Sequence, residues 1–205
     1  MATPFGLLAF EYPSAPHVRR HGPRGYLEYQ SFKPWLRDEF VFRCVFCLIR
    51  ERWFPDGQDS FGVDHHLPKS STPARICDYE NLLYLCNRCN AAKQAGAVLD
   101  PCSNGLGDHL RVDSDGSVVG LTLEGERLID VLHLNYASAK RYRRRKIDSL
   151  TRWNATGETW ALDEELAFPE EMPQLAKCRC ENTLPAGIES SYFELRKRSE
   201  LPDRY

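Results

Sequence analysis

The sequence predicts an α+β fold built around a four-cysteine metal site. Two pairs of cysteines have the Cys-x-x-Cys spacing of zinc knuckles: Cys44 with Cys47, and Cys86 with Cys89. Residues 111–122 predict a β hairpin, because the dipeptide Asp115-Gly116 is a turn signal followed by an apolar segment. Residues 124–150 predict a helix, because their apolar side chains recur at helical spacing. Residues 1–36 contain five prolines and predict an irregular arm.

Composition limits the class of protein without identifying a partner. Hydrophobic residues make up 42% of the 205 residues, which indicates a folded core. The formal net charge is −2, so any surface that binds nucleic acid has to be locally basic. The start of the chain has no basic-then-apolar leader, and its run FGLLAF is too short to cross a membrane. We therefore expect a cytoplasmic protein that does not contact a membrane.

The eight cysteines predict metal binding more strongly than disulfide formation. Clustered thiols in a reducing cytoplasm more often bind a metal, and two Cys-x-x-Cys pairs suit one tetrahedral zinc ion. The alternative is that these four residues are buried or free thiols. The other four cysteines are interpreted as structural thiols: Cys77, Cys102, Cys178 and Cys180.

The segment around the second cysteine pair contains a recognisable motif. VDHHLP at 63–68 is followed by NLLYLCNRCNAAK at 81–93. The order Asp-His-x-x-Pro, Asn-Leu and Cys-x-x-Cys-Asn-x-x-Lys resembles the HNH endonucleases, and among them the zinc-containing branch with a ββα-metal active site. The resemblance covers residues from about 43 to 93. It implies a ββα-metal core that hydrolyses phosphodiester bonds in DNA, with RNA left open as a substrate.

The resemblance also implies a role for each residue of the motif. His65 occupies the position of the general base, and a neutral imidazole can take a proton from water. Asp64 is implied as a ligand of the catalytic metal, Asn90 as a second oxygen ligand, and Asn81 as the residue that orients His65. Oxygen ligands suit Mg²⁺, with Mn²⁺ as a substitute, whereas the cysteines would hold a structural Zn²⁺. Lys93 is either a phosphate contact or an ordinary surface lysine.

Two adjacent histidines compete for the role of base. Only His65 has the two intervening residues before Pro68 that the family pattern requires. Choosing His66 instead would make His65 the metal ligand and leave Asp64 unused. Neighbouring residues on a strand point to opposite faces, so at most one histidine faces the substrate. We favour His65 as the base and His66 as a packing residue.

Charged segments outside the motif supply further candidates. Arg19, Arg20 and Arg24 in the arm either are solvated, which we favour, or contact a nucleic-acid backbone. A basic run in the predicted helix is either a solvated helix face or a DNA contact: Lys140, Arg141, Arg143, Arg144, Arg145 and Lys146. The acidic stretch 157–172 disfavours phosphate binding and is compatible with a protein partner.

These observations predict four segments and one favoured function. The segments are an arm or cap at 1–36, a nuclease core with the zinc site at 37–100, a hairpin with a basic helix at 101–150, and an acidic, loop-rich segment at 151–205. The favoured function is a metal-dependent DNA endonuclease, with a bacterial defence or toxin system and a regulatory protein partner as its setting. The alternative is a catalytically inactive zinc module that binds nucleic acid or protein.

Overall fold

The computed structural model describes residues 3–205 and has mixed α and β structure, which confirms the predicted class. Its strands form two separate antiparallel pairs: β1 (Phe61–His65) with β2 (Leu82–Cys86), and β3 (Leu110–Val112) with β4 (Val118–Gly120). The helices are α1 (Phe5–Leu8), α2 (Lys33–Glu39), α3 (Asn87–Lys93), α4 (Leu123–Val131), α5 (Ala137–Thr156), α6 (Thr159–Leu166), α7 (Leu175–Cys178) and α8 (Tyr192–Lys197).

The strands β1 and β2 and the helix α3 form one continuous unit. The register places Asp64 opposite Leu83 and His65 opposite Leu82. Every residue of β2 is buried, as expected for a short apolar run enclosed on both faces. Cys86 ends β2 and is also the N-cap of α3, so the helix starts directly at the end of the strand. The residues that follow Cys86 are therefore held next to β1, which α3 contacts.

The N-terminal arm packs on the protein. Arg19 is therefore neither solvated nor free to contact a nucleic-acid backbone, which were the two alternatives for the arginines of the arm. The guanidinium of Arg19 lies between the rings of Phe40 and Tyr79, 5.0 Å from each ring centroid. The side chain is only 8% exposed, and one of its nitrogens donates to the carbonyl of Leu82 at 2.6 Å. Stacking between aromatic faces and burial stabilise the arm against the core. Arg20 also bonds to the protein, since it donates to the Asp38 carboxylate at 2.9 Å.

The hairpin β3–β4 forms as predicted, but the single long helix is wrong. The structure has two helices, α4 and α5, with a break at residues 132–136. Leu132 and Leu134 are both fully buried, and a continuous helix would place side chains two positions apart on different faces. The break, in which His133 has a φ of 49°, lets both leucines reach the core. Asn135 then exchanges two hydrogen bonds with the backbone of Val118 in β4, at 2.7 and 2.8 Å.

One hydrophobic core includes residues from all four predicted segments. Phe10, Leu85, Leu110 and Leu162 belong to it, and each is at most 2% exposed. The C-terminal segment is more helical than its loop-rich prediction, since it contains the end of α5 and the helices α6, α7 and α8. Within residues 3–205, no helix combines the length and apolarity that crossing a bilayer requires.

Candidate functional site

The four cysteines of the two Cys-x-x-Cys pairs meet at one point. Cys44 and Cys47 lie in a tight turn that the backbone N–H of Leu48 closes by donating to the Cys44 carbonyl at 2.9 Å. Leu48 has a left-handed φ of 58°, which reverses the chain after the second thiol. Cys86 and Cys89 face this turn from the N-terminal end of α3. The α3 helix thus connects the cysteine cluster at its start to Asn90 and Lys93 further along the same helix.

The sulfur atoms have the spacing of a tetrahedral metal site. All four lie within 4.8 Å of one another, and the Sγ atoms of Cys47 and Cys86 are 3.6 Å apart. Zn–S bonds of about 2.3 Å place tetrahedral sulfurs roughly 3.8 Å apart, which matches this separation. All four residues are buried and none forms a disulfide. The cluster could therefore hold a metal ion such as zinc.

Asp64 presents a carboxylate oxygen that lacks a hydrogen bond. Its Oδ2 atom is buried and makes no hydrogen bond with the described residues, although the Lys93 ammonium lies 3.0 Å away. Gly62 and Asp64 share a face of β1, since they are two residues apart on the strand. A Cβ atom built on Gly62 would lie 3.5 Å from Nδ2 of Asn90, so the Asn90 amide lies against that strand. A carboxylate and an amide oxygen are ligands that fit a hard cation such as Mg²⁺.

Lys93 is buried, so the prediction that it contacts phosphate from the protein surface is wrong. Its side chain is 0% exposed, and Nζ donates to the backbone carbonyl of His65 at 2.6 Å. The same ammonium lies 3.0 Å from Oδ2 of Asp64. A phosphate contact and an ordinary surface lysine both require an exposed side chain, whereas Lys93 lies on the side of α3 that faces β1.

His65 is oriented by a backbone carbonyl. Its Nε2 atom lies 2.9 Å from the carbonyl oxygen of Ile76, which can only accept, so Nε2 carries the proton. The other ring nitrogen, Nδ1, has no hydrogen-bond partner within the part of the chain that the structure describes. Burial lowers the pKa of His65, and this effect outweighs the hydrogen bond to Ile76, which raises the pKa. The ring is therefore held neutral with Nδ1 as its proton acceptor.

Tyr29 covers His65 from the N-terminal arm and carries no motif that would have predicted it. The two rings meet edge to face with centroids 4.7 Å apart, and His65 is only 3% exposed. The ammonium of Lys69 lies 4.5 Å from the Tyr29 ring centroid. An aromatic residue in an irregular arm gives no sequence signal for this contact, because the arm is far from the motif along the chain.

Asn81 fastens the loop that follows His65. Its Oδ1 atom accepts from the backbone N–H of Leu67 at 2.8 Å, and its Nδ2 donates to the carbonyls of Leu67 and Arg75. The backbone carbonyl of Asn81 also accepts from the N–H of His66 at 2.8 Å. These contacts fix the loop whose Ile76 carbonyl orients the His65 ring.

His66 bonds to a different part of the chain. Its Nε2 atom lies 3.1 Å from the carbonyl of Val98, in the segment that follows α3. The neighbouring ring of His65 bonds instead to Ile76, which precedes β2. The two histidines therefore have separate partners, and His66 ties the end of β1 to the 94–100 segment.

Comparisons with known proteins give one partial similarity. The chain resembles a Septu protein. It is 29% identical over 114 residues to the Septu protein PtuB of Bacillus thuringiensis. The aligned part covers 53% of this chain and 43% of that protein, so the chain spans less than half of its relative's length. No family model matches the chain.

The basic run on α5 separates into exposed and buried side chains. Arg141, Arg144 and Arg145 are exposed, so they remain candidates for phosphate contacts. Arg143 is 3% exposed and donates to the carbonyls of Gly116 and Leu134 at 2.7 and 2.6 Å, so the prediction that it binds nucleic acid is wrong. The reason is that a helix turns every third or fourth residue inward.

The two lysines at the ends of the run are each paired with an acid. Lys140 lies 3.3 Å from the carboxylate of Asp115, and Lys146 is bonded to Glu165. Lys146 also lies over the ring of Trp53, 5.2 Å from its centroid. Arg144 also lies 3.7 Å from the carboxylate of Asp148. Part of the positive charge that the sequence suggests is therefore balanced within the protein, and Arg141 and Arg145 have no acidic partner among the described residues.

Proposed function

We propose that this chain is a metal-dependent endonuclease that hydrolyses phosphodiester bonds in DNA with an HNH-type site. The observation that carries the proposal is the arrangement on β1, β2 and α3. The one close partner of the buried Asp64 Oδ2 atom is the Lys93 ammonium at 3.0 Å, and Asn90 lies against the same strand face as Asp64. His65 is the next residue of β1, and its bond to the Ile76 carbonyl leaves Nδ1 as the proton acceptor. The strand-strand-helix order supports the ββα interpretation of the motif.

Each residue would perform one step of hydrolysis. Nδ1 of His65 would take the proton from the attacking water, while the Ile76 carbonyl keeps the ring in the required tautomer. Asn81 would hold the loop that carries this carbonyl. Asp64 and Asn90 would hold the divalent cation. When bound, such an ion neutralises charge that develops on the phosphate and stabilises the leaving oxygen.

The cysteine cluster would serve as a structural zinc site for this unit. Cys86 and Cys89 stand at the start of the helix that carries Asn90 and Lys93, so a metal on the sulfurs would fix the position of both. Binding of structural zinc contributes on the order of 10–16 kcal/mol in small zinc modules. We therefore propose Zn²⁺ at the sulfurs and Mg²⁺ or Mn²⁺ at the oxygens.

The biological setting that we propose is bacterial defence with a protein partner. The similarity to the Septu protein PtuB supports it, and the partner is proposed because uncontrolled DNA cleavage would harm the host. The exposed Arg141, Arg144 and Arg145 would supply phosphate contacts. If a partner is required, the chain alone leaves DNA intact and cleaves it once a co-encoded protein is added.

An inactive zinc module remains the second candidate, and one observation favours it. The ring of His65 is 3% exposed beneath Tyr29, so a phosphate cannot reach it without movement of the arm. A binding module would tolerate this cover, whereas a nuclease has to displace it. The proposed nuclease therefore requires that Tyr29 moves when nucleic acid binds.

Cleavage of supercoiled plasmid separates the two candidates. The zinc-loaded chain is assayed with Mg²⁺ and with Mn²⁺, alone and with the co-encoded protein. We expect nicking or cutting by the native chain, a loss of at least about 100-fold for His65→Ala, and a much smaller loss for the control His66→Ala. Equal activity of His65→Ala and the native chain would reject the proposed base. Intact plasmid under every condition, with zinc bound, would favour the binding module.

A further inference from the structure

Lys93 introduces a positive charge into the proposed cation site. Its side chain is fully buried, and its ammonium lies 3.0 Å from Oδ2 of Asp64 and 2.6 Å from the carbonyl oxygen of His65. The Asp64 side chain is itself only 15% exposed. The lysine thus contacts the proposed ligand from within the protein, so a water or an ion does not readily take its place.

The ligand set beside this lysine has little negative charge. Asp64 is the one carboxylate of the proposed ligand pair, because Asn90 is an amide. Among residues 3–205, the cysteine cluster is the one group of three or more His, Cys, Asp or Glu side chains arranged to share an ion. The Lys93 ammonium therefore balances the formal charge of the oxygen site before any divalent cation arrives.

We propose that Lys93 is a built-in counterion that keeps the Asp64–Asn90 site weak for divalent cations until a phosphate is present. This inference rests on the proposed function and concerns how the divalent cation and the nucleic acid affect each other's binding. Two cations that share one buried carboxylate repel each other, and this repulsion is large at short distance where water is excluded. A phosphodiester supplies the missing negative charge, so nucleic acid and cation each strengthen the binding of the other.

A purely structural role for Lys93 makes the opposite prediction. If the ammonium mainly holds the end of β1 through the His65 carbonyl, then its removal disorders Asp64 and weakens cation binding. If the counterion role dominates, removal of the charge strengthens cation binding. The direction of the change in Mn²⁺ affinity therefore distinguishes the two roles without any assay of cleavage.

The first measurement is Mn²⁺ affinity of the zinc-loaded chain without DNA, by electron paramagnetic resonance. Lys93→Met removes the charge, and Lys93→Gln removes the charge but keeps a donor for the His65 carbonyl. We expect both to bind Mn²⁺ at least about tenfold more tightly than the native chain. Lys69→Met removes an equal charge from an exposed lysine near His65 and is expected to change affinity by less than about twofold.

Two results would overturn the inference. One is that both Lys93 variants bind Mn²⁺ no more tightly than the native chain, or bind none. The other is that Lys69→Met increases Mn²⁺ affinity as much as the Lys93 variants do. Thermal unfolding checks that each variant is folded. If Lys93→Met fails this check, Lys93→Gln decides. Asp64→Asn in the Lys93→Gln background identifies the site, because it should abolish the gained affinity.

The second measurement adds a mixed-sequence DNA duplex to a His65→Ala chain, in which the proposed base is absent. We expect the duplex to tighten Mn²⁺ binding at least about tenfold. If the first measurement succeeds and the duplex has no effect, Lys93 is a counterion but the proposed function fails. If the native chain cleaves plasmid while the Lys93 variants bind Mn²⁺ no better, the proposed function stands and the inference fails.

Discussion

The two candidate metal sites of this chain are joined by one short helix but differ in burial and charge. The cysteine cluster is fully buried and offers four sulfurs that lie within 4.8 Å of one another. The Asp64–Asn90 site offers one carboxylate and one amide, and a buried ammonium already balances the carboxylate. As a metal site, the cysteine cluster would be complete within the protein, whereas the proposed Asp64–Asn90 site would need ligands from outside.

This difference indicates a division of labour along α3. A closed site with four protein ligands contributes to folding, and an open site leaves positions for water and substrate. Cys86 and Cys89 at the start of α3 belong to the closed site, and Asn90 and Lys93 further along belong to the open one. Metal binding at the sulfurs would therefore fix the helix that presents the chemistry, and the two sites should respond differently to mutation.

The largest effect is expected for Cys86→Ser. Loss of one sulfur leaves three thiols in a buried cluster and removes most of the zinc affinity. We expect less than one zinc ion per chain and a melting temperature lower by more than about 15 °C. Each kcal/mol lost from the free energy of unfolding lowers the melting temperature of a domain of this size by roughly 2–4 °C. Metal analysis and calorimetry measure both. Cys102→Ser, outside the cluster, is the control and should retain zinc, and an equal loss there would reject a special role for the cluster.

The next largest effect is expected for Asp64→Asn, which should lower plasmid cleavage and leave the zinc content unchanged. We expect plasmid cleavage to fall at least about 100-fold, because the carboxylate is the one anionic ligand of the open site. The variant should keep its zinc and a cooperative unfolding transition. Asp59→Asn is the matched control, since the Asp59 side chain is 79% exposed. Loss of zinc in Asp64→Asn would show that the two sites are not separable.

An intermediate effect is expected for Asn81→Ala. The substitution leaves the backbone groups of Leu67 and Arg75 without their partners, at a cost of about 1–3 kcal/mol. The melting temperature should fall by roughly 2–12 °C, and cleavage should fall as the Ile76 carbonyl loses its position. Glu80→Ala changes the exposed neighbour and should leave both near native values. A native melting temperature for Asn81→Ala would contradict the role of this residue in fixing the loop.

The smallest effect is expected for Arg145→Ala on α5. Loss of one phosphate contact should weaken DNA binding a few-fold. The slope of log affinity against log salt concentration should fall by about one, and the melting temperature should not change. Arg143→Ala should do the reverse, because its guanidinium bonds to two backbone carbonyls in the interior. Salt titrations of DNA binding together with thermal melts compare the two. Equal effects on DNA affinity would contradict the separation into exposed and buried arginines.

The sequence predicted those parts of the site that depend on local spacing. The Cys-x-x-Cys pairs have a geometry that two short turns determine, so their convergence followed from the sequence. The turn at Asp115-Gly116 was predicted for the same reason, since a dipeptide determines it. These predictions need no knowledge of which distant segments touch.

The features that the sequence did not predict depend on contacts between distant segments. Tyr29 on His65 and Arg19 between two aromatic rings come from the arm, whose prolines indicated only an irregular chain. The break between α4 and α5 arises because Leu132 and Leu134 are both buried in tertiary packing. Lys93 was placed on the correct helix, but the face that it occupies depends on how α3 packs against β1. Periodicity alone could not supply that orientation.

Anomalous diffraction tests the division between the two metal sites most directly. Crystals of the zinc-loaded chain, soaked in excess Mn²⁺, are measured at the absorption edges of both metals. We expect a zinc peak bonded to the sulfurs of the cysteine cluster and a separate manganese peak bonded to the Asp64 carboxylate beside Asn90. Manganese bound elsewhere with none at Asp64, or no metal among the four sulfurs, would contradict this expectation.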